Sequence, residues 1–189
     1  MSAANEMTRS HPDGVSSEAL AREFIEISRR QLRTRLERIE ACVGRLGPEQ
    51  IWGREHQTEN AIGNLILHLA GNVRQWIICG VGGAPDQRNR DAEFSRREPI
   101  PAAELLARLR QTIDEADAVL AGVPANELLV KRGIQVYDVT VIEAIFHVVE
   151  HFAEHTGQII WATKRMTGED LGFFRYLSKD APPSGGVAP

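Results

Sequence analysis

Two cysteines, Cys42 and Cys79, are all that the 189 residues contain, too few for a disulfide framework. Each sits in a helical pattern and reads as a small buried side chain, so a reduced, cytoplasmic protein is expected. No apolar run approaches the roughly 20 residues that a transmembrane helix needs, which argues against a membrane protein. Charge of one sign is also lacking. With 22 basic and 26 acidic residues the net charge is -4, and nothing favours nucleic acid or an anionic membrane as partner. The N-terminal stretch MSAANEMTRSHPDGV has no apolar h-region, so no signal peptide is expected. There is no internal repeat and no convincing pair of strands. Glu-x-x-His, which di-iron bundles carry on two helices, does not occur.

What remains is helical periodicity. The length suits one domain with frayed ends. Residues 1–15 read as a disordered leader, 16–177 as the domain and 178–189 as a disordered tail. A first helix begins at Ser16 or Ser17, either a good N-cap, and carries Leu32, Leu36, Ile39, Val43 and Leu46 at helical spacing. Gly47-Pro48 should end it, and 49–59 reads as a loop with a short turn around Ile51-Trp52. A second helix spans about Asn60–Cys79, closed by Gly80, Gly82 and Gly83. A third starts with Pro101 at its first turn and runs to Gly122. The fourth opens on Thr140-Val-Ile-Glu143, a capping-box pattern, and should stop at Gly168. The connections are long: 84–100 is charged, and 125–139 has a short extended turn around Gly133. The aromatic stretch after Gly168 should fold back onto the helices or onto a partner chain. The expected architecture is all-α, a four-helix bundle with two long connections.

Three of the six histidines, His147, His151 and His155, stand four apart in the fourth helix. Each such step advances about 40° and rises about 6 Å, so they form one slanting row that continues into Gln158. The helix is too apolar around most of its circumference to be a surface helix, and a polar row on a largely buried helix needs partners. A second polar row lies on the second helix: Asn64, His68, Asn72 and Gln75. We take the shared partner to be a metal ion held jointly with His68. Two histidines four apart can close on one ion; two that are eight apart, about 12 Å along the axis, cannot. The spacing therefore allows either His147 with His151 or His151 with His155. The bland reading is a set of core histidines satisfied by amides and backbone. His147-Val-Val-Glu-His151 also matches the inverted zinc-peptidase pattern, but that motif needs a further carboxylate ligand, and Glu150 reads as a rim residue.

The segments Asn64-Leu-Ile-Leu-His68-Leu-Ala-Gly-Asn72 and Glu150-His151-Phe-Ala-Glu-His155-Thr-Gly-Gln158 resemble the two signature segments of the DinB-like superfamily. They are closest to its small uncharacterised branch, in which Arg-Asn-Arg-Asp-Ala-Glu-Phe at 88–94 also has a counterpart. The resemblance spans about residues 20–177 and implies a four-helix bundle, often homodimeric, that holds a divalent metal. It implies His68, His151 and His155 as ligands, with His147, Gln158, Asn64 and Asn72 around them. Characterised relatives include thiol-dependent transferases and isomerases. The implied activity is therefore a metal-dependent transferase using Ni or Zn and a low-molecular-weight thiol on a small-molecule electrophile. Arg88 and Arg90 are candidates to hold an anionic substrate at the pocket mouth, against the plainer reading of a solvated charge run. The rivals are a non-catalytic protein whose ion fastens two helices together, and metal-assisted hydrolysis with Glu150 or Glu154 as base.

Overall fold

The computed structural model describes residues 16–177, so the stretches read as leader and tail lie outside the described residues. The chain is mostly helical, with one small antiparallel hairpin. Helix α1 (Ser17–Val43) is capped by Ser16, whose hydroxyl accepts from the Ala19 amide at 3.1 Å. Ile25, Leu32, Leu36, Ile39 and Val43 face the core. The helix stops at Gly44, earlier than the Gly47-Pro48 pair suggests. Pro48 instead opens a separate short helix α2 (Pro48–Trp52), where its missing amide costs nothing at the first helical position. The Trp52 indole donates to the Ile100 carbonyl at 3.1 Å, fastening α2 to the strand of chain that enters the third long helix.

Helix α3 (Ile62–Val73) runs directly into a π-helical stretch, Arg74–Val81, capped by Gly82. Such wide turns are rare and concentrate at functional sites. Inside the charged connection the chain forms one further helix, α4 (Arg90–Ser95), capped by Asn89, whose side chain accepts from the Ala92 amide at 3.1 Å. Helix α5 (Ala102–Ala121) has Pro101 at its cap rather than inside its first turn. The second connection is not a plain extended turn. It pairs as β1 (Lys131–Ile134) with β2 (Tyr137–Thr140), Ile134 opposite Tyr137, around a two-residue turn with Gln135 at φ 55°. The absence of a convincing strand pair in the sequence is corrected here: Arg132, Gly133 and Asp138 obscure the alternation that would reveal so short a hairpin. Helix α6 (Val141–Thr167) has the reciprocal Thr140–Glu143 capping box and ends at Gly168 in the left-handed conformation, φ 69°.

The four long helical segments bury one continuous core in which Ile39, Leu69, Leu109 and Phe152 are fully excluded from solvent. Each such side chain contributes about 1.5–3 kcal/mol by burial. A buried carboxylate, Asp117 of α5, is matched by two guanidinium groups of α1. Arg29 reaches it at 2.9 and 2.8 Å, and Arg33 at 3.1 and 2.6 Å. After Gly168 the chain folds back: Leu171 is buried, and Arg38 of α1 lies over the rings of Phe173 (5.6 Å) and Phe174 (5.0 Å). No described helix is long and apolar enough to cross a membrane. For the site, three placements matter. Helices α3 and α6 lie side by side, α4 lies on α3, and the hairpin's Ile134 packs over the bare backbone of Gly80.

Candidate metal centre

The apolar flank of α6 (Val148, Phe152, Ile159) turns inward, and this leaves the histidine row facing α3. One nitrogen from each of His68, His151 and His155 lies within 4.8 Å of the others, with His68 buried and the other two half-buried. The His151 Nε2 is 3.0 Å from His68 Nε2 and 3.1 Å from His155 Nε2. Imidazole nitrogens on a common ion at about 2.0–2.1 Å stand about 3.0–3.4 Å apart, so the observed separations suit a shared cation.

The protons point the same way. His68 Nδ1 is 3.0 Å from Glu93 Oε2, which only accepts, and 3.0 Å from Arg88 Nη2, which only donates. The two Nη2 hydrogens have acceptors in Glu93 Oε2 (2.8 Å) and the His68 carbonyl (3.4 Å), so the hydrogen between His68 and Glu93 belongs on Nδ1 and Nε2 presents a lone pair. His155 Nδ1 is 2.7 Å from Gln158 Oε1, with the same consequence. Both Nε2 lone pairs therefore face His151. If His151 holds its proton on Nε2, it can satisfy one of the two neighbours. If it holds the proton on Nδ1, that N–H is buried, and Nδ1 has no partner among the described residues. Adding a second proton to His151 is not a remedy. Burial, followed by the charges of His155 and His68, pushes its pKa down to about 3. A cation at the centre satisfies all three Nε2 lone pairs at once, and it selects the tautomer of His151 whose Nδ1–H lies buried without a partner among the described residues.

Glu93 is the residue that sequence reasoning missed. It sits on α4, and Arg88 donates to both of its oxygens at 2.8 Å. Burial raises the Glu93 pKa, but the hydrogen bonds from Arg88 and His68 outweigh it and hold the carboxyl below its ordinary value. Gly71 makes room for this pair on α3: a Cβ there would run into the Glu93 carboxylate and stand 2.9 Å from Arg88 Nε. The only sequence signal for Glu93 was its place in the 88–94 stretch quoted above.

Arg88 is therefore not an anion receptor at the pocket mouth. Its side chain is 5% exposed and already neutralised, because Glu93 draws it in. Its Nη1 also donates to Gln75 Oε1 at 2.9 Å, and Gln75 accepts from Gln135 at the hairpin turn. Asn64 does not face the centre either. Its amide donates to the Glu93 and Arg96 carbonyls at 2.7 and 3.2 Å and accepts from Arg54, pinning α4 to α3. His147 stands beside the three, its ring 4.2 Å from that of Trp76 and its Nε2 3.4 Å from Asn72 Nδ2. Burial lowers its pKa too. Glu150 and Glu154 are exposed on α6.

A cavity of about 430 Å³ opens beside the centre, within the usual size range for small-molecule sites. It is lined by His68, His147, His151, Asn72 and Trp76 of the long helices, by Arg90 of α4, and by Gln135, Tyr137 and Val139 of the hairpin. Neither Glu150 nor Glu154 lines it. Trp76 and the hairpin were not anticipated as site elements, because the π-helical turn and the strand pairing that bring them here leave no periodic trace.

Comparison with known families gives one result: the family described as a protein of unknown function, DUF1572, matches residues 19–178. No curated protein matches the chain.

Proposed function

We propose that this chain, which belongs to the DUF1572 family, is a divalent-metal protein of the DinB-like type, its four long helices forming a four-helix bundle. In this reading His68, His151 and His155 hold one Zn or Ni ion, and the protein is a thiol-dependent transferase acting on a small electrophile. The observation that carries the reading is the convergence of three Nε2 atoms, for two of which an acceptor at Nδ1, Glu93 or Gln158, leaves Nε2 free as a lone pair. When bound, such an ion supplies an open coordination position and a charge that favours the thiolate form of a thiol. The chain does the rest. Glu93 and Gln158 fix the orientation and tautomer of their histidines. Trp76, Tyr137 and Val139 give the cavity an apolar surface on which the body of a small electrophile can rest. The same reading takes the protein to be a cytoplasmic homodimer with a small-molecule substrate, binding neither nucleic acid nor membrane.

Metal analysis of protein purified without an affinity tag tests the first half, with His151→Ala expected to abolish uptake of Zn and Ni. Cobalt substitution tests the second half: a low-molecular-weight thiol should shift the visible spectrum. A cobalt spectrum that thiols leave unmoved, together with a large metal-dependent rise in Tm, would instead mark an ion that only fastens α3 to α6.

A further inference from the structure

The cavity lining carries two charged side chains, Glu143 and Arg90, and they are not paired with each other. We propose that Arg90 is an oxyanion subsite and that the ligand is a small organic acid (carboxylate or phosphate) with a flat apolar body. This deepens the reading of the cavity as a substrate site and rests on it.

The cavity has one lining carboxylate, Glu143, and it is committed elsewhere: it accepts from the Thr140 amide and hydroxyl, both at 2.7 Å. Glu93, behind His68, is spent on Arg88 and His68. Asp86 accepts from Gln75 at 2.6 Å and from the Arg88 amide at 3.0 Å. On the hairpin, Asp138 pairs with Lys131 at 3.0 Å. Arg90 makes no ion pair among the described residues. Its contact is with a ring: the guanidinium carbon lies 4.8 Å from the centroid of Phe94. Phe94 in turn lies 4.5 Å from the His68 ring. This stack places the exposed Arg90 guanidinium over a ring that itself touches His68, and no carboxylate among the described residues occupies its donor fork. A planar fork of this kind suits a carboxylate or phosphate. The rings of Trp76 and Tyr137, 6.1 Å apart, line the same cavity and offer an apolar face to the body of the ligand.

The test is calorimetric titration of Zn-loaded protein with benzoate, phenylphosphate and the neutral benzamide, with metal content measured in the same samples. The anions should bind at least about tenfold more tightly than benzamide, the value of one charge-assisted contact. Arg90→Gln should remove that advantage and Arg90→Lys restore part of it; the ratio between the two anions says which oxyanion fits. Three results overturn the proposal: equal binding of benzamide, unchanged anion binding by Arg90→Gln with its metal intact, and no binding of any probe. In the second case the anion sits on the ion rather than on Arg90. A wild-type protein that takes up no metal yet still loses anion binding on Arg90→Gln keeps the subsite and defeats the metal reading instead.

Discussion

Replacing Glu93 by glutamine removes one negative charge from behind His68 and keeps the shape of the side chain. In the native site both Glu93 oxygens receive hydrogen bonds, Oε1 from Arg88 and Oε2 from Arg88 and His68. Glutamine has one accepting oxygen, so its NH2 group must face one of these donors. The side chains of His68, Arg88 and Glu93 are 6, 5 and 11% exposed, so water and salt screen the change little. Losing the partner of a metal-ligating histidine costs about 10–100-fold in metal affinity, which is about 1.4–2.7 kcal/mol. The assay is Zn competition against a chromophoric chelator. Denaturant unfolding of the metal-free variant separates this loss from any general loosening around Arg88. Gly71→Ala reaches the same end from the other side. Alanine ordinarily stabilises a helix by about 1 kcal/mol over glycine, but here its methyl group displaces the Glu93 carboxylate, so affinity should fall. A Glu93→Gln protein that binds Zn within about twofold of wild type, with unfolding unchanged, would refute the account of His68.

Asp117 should govern acid stability. Hydrogen bonds from Arg29 first, then Arg33, hold its carboxyl well below the usual range against the opposing effect of burial. Its stabilisation is therefore present above its unfolded pKa and is lost as pH falls below about 4. Asp117→Asn should cost about 2 kcal/mol at neutral pH, between the exposed and the fully buried cases. The gap between wild type and variant should narrow from pH 6 towards pH 3, and a gap that stays constant would count against the assignment. The proposed homodimer is checked by light scattering, which should give about twice the 21.0 kDa chain mass at micromolar concentration. Exposed Phe174 and Leu177 motivate it, and a monomer unchanged by deleting residues 171–189 would remove it.

The helical class and most helix ends were legible because their chemistry is local. Ser16, the Thr140–Glu143 box and Gly168 each act on amides or a backbone angle within a few residues. Of α2 only a short turn around Ile51-Trp52 was legible, and α4 not at all, since five or six residues carry no detectable period. The histidine row on α6 was plain from spacing, but its choice of partners was not. Both pairs in the row were allowed, and the structure brings His151 and His155, not His147, against His68. Arg88 and Glu93 were hidden for a different reason. A charge run reads as solvated until the fold shows that two of its members neutralise one another against a glycine.

His151 and His155 need nothing but one turn of helix to stand together, whereas His68 lies 83 residues before His151. An unfolded chain thus keeps a weak two-histidine chelate whenever that turn forms. If the proposed ion is bound, metal held there offsets part of what the native centre would gain, so it should stabilise the fold by less than its native affinity alone would give. The order of synthesis sharpens the point. Helix α6 is the last of the long helices to leave the ribosome, so the third nitrogen can be recruited only after α3 has been made and has waited for it. On the proposed reading, occupancy by all three histidines would mark a chain whose α6 has already docked on α3.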